Sequence, residues 1–564
     1  MKNTKRILAL VLVMVMAVAL MAGCGTTGSG SSASEPTSAA PVASNTEAEP
    51  TESTEAPETE EPSEEPETTG LPLVEEAETL TLWDTFNPTV LSYINGWSEH
   101  PVLQQVYDMT NVYIEATCVA GNKGSEAFQL LLAGEEYYDI MSCFTDFYSG
   151  GLDQAIDDEV ILDLTDLINE YAPDYLAAIE EQDCMKDCTT NEGRMGTFCN
   201  IIYNSYRDKG QLISKTMLDE MGKDVPTSYD ELHDVLLGMK DLGADSPLWV
   251  NYFGIGQAHT LAAGYNITST YDAMGGSYPF FVEDGKVVFS WDHERFKEFL
   301  TMMNQWYNEG LIWTDFVSDG AVMNVSQSNA VDLVYTGDMG VFYSGVDFID
   351  TMAAEGIELV ALPEPTLNGT DKIHTIQPNS AKARAKFSIT TECENPELAA
   401  RFLNVFFQKD IAELCDYGIE GQAYNMENGE RKFTDLLLNN PDGLASGNAR
   451  RIYCVDDWCF YQNKGRDLYF YSDKGVEATE VFADQMDYTM AIPLGLSLTA
   501  EESDTFSTEF AEISTYALES IANFVIGSKN LDSDWDEYVA RLEEMGSKDI
   551  TEIYQAAYDR YMAK

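Results

Sequence analysis

Apolar positions in this chain recur in two periods. "LTLWDTF" (Leu80 to Phe86) and "NVYIEATCV" (from Asn111) are short runs rich in large or β-branched residues, and they predict strands. Between them, "HPVLQQVYDMT" sets Val102, Leu103, Val106 and Met109 at helical spacing. "SEAFQLLLAGEEYYDIMSC" reads as a helix, a Gly stop and a buried strand, Tyr138 to Cys143, and "VILDLTDLINEYAPDY" as a short helix ended by Pro173. Strands alternating with helices predict an α/β layer around a mostly parallel sheet.

The pattern continues past the middle of the chain. "NEGRMGTFCNIIYNS" predicts a hairpin turning at Glu192-Gly193, and "GQLISKTMLDEMGKDVPTSYDELHDVLLGMKDLG" a strand, a short helix and a second helix capped by Thr227 or Ser228. The strongest amphipathic signal is "DHERFKEFLTMMNQWYNEGLI". Phe296, Phe299, Leu300, Met303, Trp306 and Tyr307 share one face there, and Gly310 is the stop. "ENPELAARFLNVFFQKD" predicts a helix from Asn395-Pro396. Thr499-x-x-Glu502 is a capping box opening a long helix, and two more helices close the chain. No internal repeat is visible.

The first segment has a different logic. Lys2, Lys5 and Arg6 precede an apolar run from Ile7 to Ala22, followed by Gly23 and Cys24. The run is shorter than the about 20 residues a bilayer span needs, and with its charged start and small-residue end it reads as a secretory signal, residues 1–23. Met21-Ala22-Gly23-Cys24 resembles a bacterial lipoprotein box, with Met where Leu is usual, which implies lipidation of Cys24. Residues 24–78 are Ser, Thr, Ala, Pro and Glu with hardly a large apolar residue before Leu71, as in "TEAEPTESTEAPETEEPSEEPETT". Such a segment cannot bury enough surface to offset its ordering entropy and reads as a self-repelling disordered tether.

Composition sharpens this picture. The body from Thr79 is too long for one ordinary core and predicts at least two lobes. The formal charge of −64 excludes nucleic acid as a partner and argues against an anionic ligand held by bulk attraction. Of the ten cysteines, Cys24 is assigned to lipid. Nine remain, an odd number, so at least one thiol is free or paired between chains. Cys184-x3-Cys188 and Cys454-x4-Cys459 have no neighbouring His, so no metal is expected; buried thiols or one or two disulfides are. No G-x-S-x-G, H-E-x-x-H or P-loop is present, so no catalytic residue and no cofactor are assigned.

Several phrases, in order and spacing, resemble one family. They are "VPTSYDELHDVLLGMKD", "DGKVVFS…FLTMMNQWYNEGLI", "CENPELAARFLNVFF", "GIEGQAYNMENGER", "NFVIGSKNLDSDWDEYVARLEEMG" and "AAYDRYM". From about Thr79 to Lys564 the chain resembles the extracellular solute-binding proteins of bacterial ABC importers, in the sugar-binding group related to maltose-binding protein, with a C-terminal region most like LipO-type lipoproteins. The resemblance implies a two-lobed α/β fold with a hinge and an interlobe ligand cleft. It puts 79–200 plus about 345–408 in the first lobe and about 201–344 plus 409–564 in the second. It further implies a monomer held by its N-terminal lipid on the outer face of a Gram-positive cell membrane. There it delivers a small-molecule or oligosaccharide ligand to ABC permease subunits.

A sugar offers apolar C–H faces and a rim of hydroxyls, so its site calls for aromatic platforms beside carboxylate or amide acceptors. On the family's contact loops the candidates are Trp83 and Asp84 after the first strand, Phe144 and Asp146 after "DIMSC", Tyr203 at the hinge strand, and Trp249 in "PLWVNYFG" with its neighbours Tyr252 and Phe253. Tyr343 and Asp347 after "GVFYSG", Tyr424 in "GIEGQAY" and Trp458 in "DDWCFYQN" complete them. Two departures bear on ligand choice: Ser214-Lys215-Thr216 stands where the family often has Arg-Lys-Asp, and "SYRDKG" (Ser205 to Gly210) is inserted near the hinge. The alternatives from other classes are a glycoside-cleaving enzyme, a receptor for a peptide or other solute, and a sensing or adhesion lipoprotein of the same fold.

Overall fold

Burial along the first strand explains its place in the molecule. Leu80, Leu82, Trp83, Asp84 and Phe86 are all buried, on both faces, as in a central strand of a covered parallel sheet. In the computed structural model the described residues are 70–564, apart from 136, 252–260, 268–278, 320–321, 323 and 378–380. They fall in the unit Pro66–Lys564. Cys24, the signal segment, the tether up to residue 69, and Tyr252 and Phe253 therefore lie outside the described residues.

The strands are β1 (Glu78–Phe86), β2 (Val112–Ala120), β3 (Ile140–Ser142), β4 (Phe198–Tyr203), β5 (Lys209–Ser214), β6 (Phe280–Glu283), β7 (Lys286–Phe289), β8 (Val341–Gly345), β9 (Leu359–Leu362), β10 (Ala383–Ile389), β11 (Tyr424–Glu427), β12 (Glu430–Phe433) and β13 (Tyr461–Asn463). A six-stranded sheet has the order β13-β4-β10-β3-β1-β2. β1 runs parallel to β2, with Glu78 opposite Val112, and to β3, with Leu82 opposite Ile140. β10 is the exception, antiparallel to both β3 and β4, with a bulge between Ala385 and Phe387. A second sheet, β8-β5-β9, is antiparallel throughout. β6–β7 and β11–β12 are hairpins.

Two large apolar cores accompany the two sheets. One draws on residues from Leu80 to Ile201 and from Ala383 to Phe460, the other on residues from Leu212 to Leu362 and from Ala478 to Tyr554. The family-based division puts 345–408 with the first segment and 409–564 with the second. Packing sets Phe348 to Leu362 in the second core, because β9 pairs with β5, and Ile411 to Phe460 in the first, where β13 pairs with β4.

Local chemistry accounts for most element ends. Ser228 rather than Thr227 caps the helix Tyr229–Leu242 in a reciprocal box with Glu231, and Thr499 does the same with Glu502 for the 26-residue helix Ala500–Val525. Ser228→Ala is expected to cost about 1 kcal/mol, read as a lower urea midpoint with an unchanged slope. Asn395 caps Pro396–Val405 by accepting from the Leu398 N–H. Pro173 ends the helix Thr165–Tyr171, whose C-cap is Ala172, and also opens the next, Pro173–Gln182, since its missing N–H costs nothing in a first turn. One expectation fails. The turn at Gly193 is present, but the residues before it form the short helix Met185–Cys188, so β4 has no hairpin partner there. All nine cysteines of the body are free thiols, seven of them buried. Among the described residues no helix is long and apolar enough to cross a membrane, and no group of three or more His, Cys, Asp or Glu is placed to hold a metal ion.

Candidate functional site

In a parallel α/β sheet, ligands are met at the carboxyl ends of the strands. The carboxyl ends of β1 and β3 carry the densest polar arrangement near an open recess. Successive strand residues face opposite ways, so Trp83 and Asp84 part company. Trp83 turns into a small aromatic cluster, its ring 5.6 Å from Phe128 and packed with Met141 and Phe144. Asp84 turns to the other face and is fully buried. There the Lys386 Nζ lies 2.8 Å from one carboxylate oxygen and 3.0 Å from the other. Trp97 Nε1 donates to Asp84 at 2.8 Å, the Thr85 N–H at 2.8 Å, and the Ser142 hydroxyl closes the set. Burial alone would lower the pKa of Lys386; the Asp84 carboxylate, with the Cys143 thiol and Asp457, outweighs it and holds the ammonium above its ordinary value.

Trp97 is presented by a turn. Gly96 has φ 92°, and a side chain on it would run into the Cys118 thiol, so this position requires glycine. The indole meets Phe86 edge-on at 4.6 Å and Trp458 at 5.0 Å. Beside it lies a shallow recess with room for about one water, lined by Phe86, Asn87, Trp97, Arg451, Asp456 and Asp457. Arg451 Nε is 3.5 Å from Asp456 and 3.7 Å from Asp457. Behind the wall, Arg466 is fully buried and pairs with Asp456 at 2.7 Å, Asp416 at 3.2 Å and Asp467 at 3.3 Å. Arg450 joins Asp456 to Asp467 at 3.2 and 2.5 Å. His100 donates from Nε2 to the carbonyls of Arg451 and Cys454. Its burial pushes the pKa down to about 4, so the ring is neutral.

The sequence-derived candidates divide into three groups. Asp84 is the hub of this site. Trp83 and Phe144 are buried beneath it, and Asp146 is exposed on the short helix Phe144–Phe147, within the electrostatic reach of Arg384 and Lys386. Trp458 stands behind Trp97 in the first core, against Phe387 and Phe406, while its neighbours Asp456 and Asp457 line the recess. Tyr203 and Tyr424 form a second group, both half-buried. Tyr203 packs 4.5 Å from Tyr461, and Tyr424 lies under the Arg431 guanidinium. The third group goes with the second core: Trp249 is buried and donates to Ser328 at 3.1 Å, Tyr343 is buried in β8, and Asp347 is exposed at the start of the helix Asp347–Ala354.

Trp97, Lys386, Arg451, Asp456 and Asp457 were not read from the sequence as site residues. A Trp directly after Gly in a polar loop was the available signal for the first. For Lys386 it was the second of two cations, with Arg384, in the strand "ARAKFSI".

The second core region also holds a buried acid that is not fully hydrogen-bonded. Glu364 is 6 % exposed, and one of its carboxylate oxygens has no hydrogen-bond partner. Burial raises its pKa from 4.5 to about 7, with Arg207 pulling the other way. The folded state therefore holds this proton more tightly than the unfolded chain, and stability falls as pH rises between about 4.5 and 7. Glu364→Gln is expected to be more stable than the parent at pH 8 by about 3 kcal/mol and equal to it at pH 4, read by urea unfolding at both values.

The fold is similar to that of two-lobed α/β solute-binding proteins. The HMO-binding, ABC-transporter-associated solute-binding protein of Bifidobacterium longum infantis superposes with a TM-score of 0.69, covering 86% of this chain and 99% of that one at 19% identity. Lipoprotein LipO of Bacillus subtilis is 23% identical over 484 residues, 81% of this chain and 89% of LipO. The fructooligosaccharide ABC transporter substrate-binding protein FusA of Streptococcus pneumoniae is 22% identical, over 72% of this chain and 77% of that protein. No family model matches the chain. Of these relatives FusA is named a substrate-binding protein and LipO a lipoprotein, in line with the resemblance in the sequence.

Proposed function

We propose that this protein is an extracellular receptor that captures an oligosaccharide and delivers it to the permease subunits of an ABC importer, without chemistry of its own. The observation that carries the reading is the recess beside Trp97 and the Asp84 hub. An aromatic ring, carboxylates and an amide converge there, at the carboxyl ends of parallel strands. Support comes from the relatives: FusA is named for fructooligosaccharide and the Bifidobacterium protein for HMO binding. The lobes of this reading follow the two cores, the first built from 79–203 and 383–463, the second from 209–362 and 473–564, with ligand held between them by hinge closure. Tyr203, Tyr424, Trp249, Tyr343 and Asp347 are the further contacts in this scheme. Cys24 carries the lipid that keeps the monomer on the outer face of the membrane, as a Gram-positive cell requires, and residues 24–69 are the tether; the last part of the segment expected to be disordered, with Leu71, Leu73 and Val74, packs against the first core instead.

A thermal-shift screen of the full chain against neutral and acidic oligosaccharides, with peptides as controls, tests the reading. A ligand that binds only the folded state adds about 2.7 kcal/mol at a hundredfold excess over its Kd. A shift with one glycan class supports the receptor, and a shift with peptides alone replaces the sugar. Product formation from an oligosaccharide would identify an enzyme instead.

A further inference from the structure

The chain passes between the two cores three times, since residues 80–201 and 383–460 build one and 212–362 and 478–554 the other. The two are also joined where no chain crosses. The short helix Met185–Cys188 and the loop after it belong with the first core through Cys184 and Cys188, and the helix Ser547–Ala563 with the second through Ile550 and Tyr554. The last turn of that second helix reaches across. The Tyr561 hydroxyl donates to Asp187 at 2.7 Å, Lys186 Nζ to the Met562 carbonyl at 3.1 Å, and Lys564 Nζ to the Thr189 carbonyl at 2.8 Å. Next to it, Asn191 and Ser497 exchange hydrogen bonds: the amide donates to the Ser497 carbonyl at 3.4 Å, and the Ser497 hydroxyl to Asn191 Oδ1 at 3.1 Å. Gly495 lies so close to Asp187, and Gly150 to Ala500, that a side chain on either glycine would collide.

Residues 487–500 therefore touch the first core at one end, and at the other they hold a chain crossing. The Ile376 N–H donates to the Asp487 carbonyl and the Met490 N–H to the His374 carbonyl, each at 2.8 Å, and Gln377 Nε2 donates to the Ile492 carbonyl at 2.7 Å. Between the two ends the segment has little freedom: Pro493 fixes its own φ, Leu496 and Leu498 pack against the second core, and Thr499 caps the helix that follows. We propose that residues 487–500 and the last turn of Ser547–Ala563 form a strap that restrains the hinge. Movement of one core against the other has to break the hydrogen bonds at Asp187 and Asn191, and breaking them loosens the crossing at 374–377. A set of bonds made in one arrangement of two packed bodies and lost in another biases the equilibrium between them. The strap touches none of the residues around Asp84 and Trp97, so it acts whatever the ligand is.

The test is amide hydrogen exchange of the full chain, comparing the parent with the triple variant Tyr561→Phe, Ser497→Ala, Lys564→Ala. Ser497 is exposed and the other two are half-buried. The expected result is exchange at least about tenfold faster at the Ile376 and Met490 amides, with β1 and β5 unchanged. Acceleration confined to residues 185–191 would overturn the proposal, because the contact would then be local packing. Exchange unchanged everywhere would overturn it too. Faster exchange throughout, β1 and β5 included, would also overturn it, since the contact would then serve overall stability and not the hinge. Should the triple variant fail to fold, Ser497→Ala alone changes one exposed side chain and is read at the same two amides. Acceleration there supports the strap, and none sinks it.

Discussion

Asp84→Ala is expected to destabilise the first core by about 3–5 kcal/mol and to abolish ligand binding. The carboxylate is fully buried and serves four donors: Lys386, Trp97 Nε1, the Ser142 hydroxyl and the Thr85 N–H. Deleting it leaves a mostly buried ammonium without its counter-charge and a buried indole N–H without an acceptor. Removing one partner of a buried pair costs far more than the pair is worth as a whole. The double variant Asp84→Ala, Lys386→Met should therefore recover most of the stability but not the binding, because Trp97 still lacks its anchor. Urea midpoints of the two single variants and the double decide it. A double variant no more stable than Asp84→Ala alone would show that Lys386 is not what Asp84 compensates.

The second large effect is at Arg466. Its guanidinium is fully buried and joins three carboxylates, Asp416, Asp456 and Asp467, while also donating to the carbonyls of Asp416 and Val455, each at 2.9 Å. Arg466→Met keeps roughly the volume and removes the charge. The expected loss is about 3–5 kcal/mol. Asp456 stands on this network and lines the recess, so ligand affinity should fall with it. Asp416, whose pKa burial already raises to about 7 against the pull of Arg466, should then be driven to hold its proton. Denaturation with and without ligand separates the two consequences. Unchanged stability would mean that solvent reaches the network and screens it.

Local signals carried far in this chain. The strands at β1 and β2, the aromatic face of the helix Glu294–Asn308, the caps at Ser228, Asn395 and Thr499 and the two closing helices are where their residues put them. Each rests on interactions within a few residues: side-chain period, a cap, a glycine stop. The binding-protein resemblance was legible for a related reason, since its phrases lie on such locally determined elements. Pro173 ends one helix at Tyr171, as its sequence implies, but the helix it opens was not legible, because whether the residues after a proline propagate a helix is not set by the proline itself, and Asp174 to Gln182 do.

The site was legible only in part. Asp84 could be picked as a polar residue at a strand end, but the same rule picked Trp83, which the strand's alternation sends into the core. Trp458 was chosen for its ring and is buried, while Asp456 and Asp457 beside it line the recess. The sequence by itself determined the periodic elements, the acidic character and the two-lobed class. Tertiary structure alone brought Lys386 to Asp84 across 302 residues and His100 to Cys454 across 354. It also set β9 beside β5 and β13 beside β4. The reason is physical: a local pattern fixes which face of an element is apolar. Which distant carboxylate neutralises a given cation is settled only by how those faces pack, and no spacing along the chain records it.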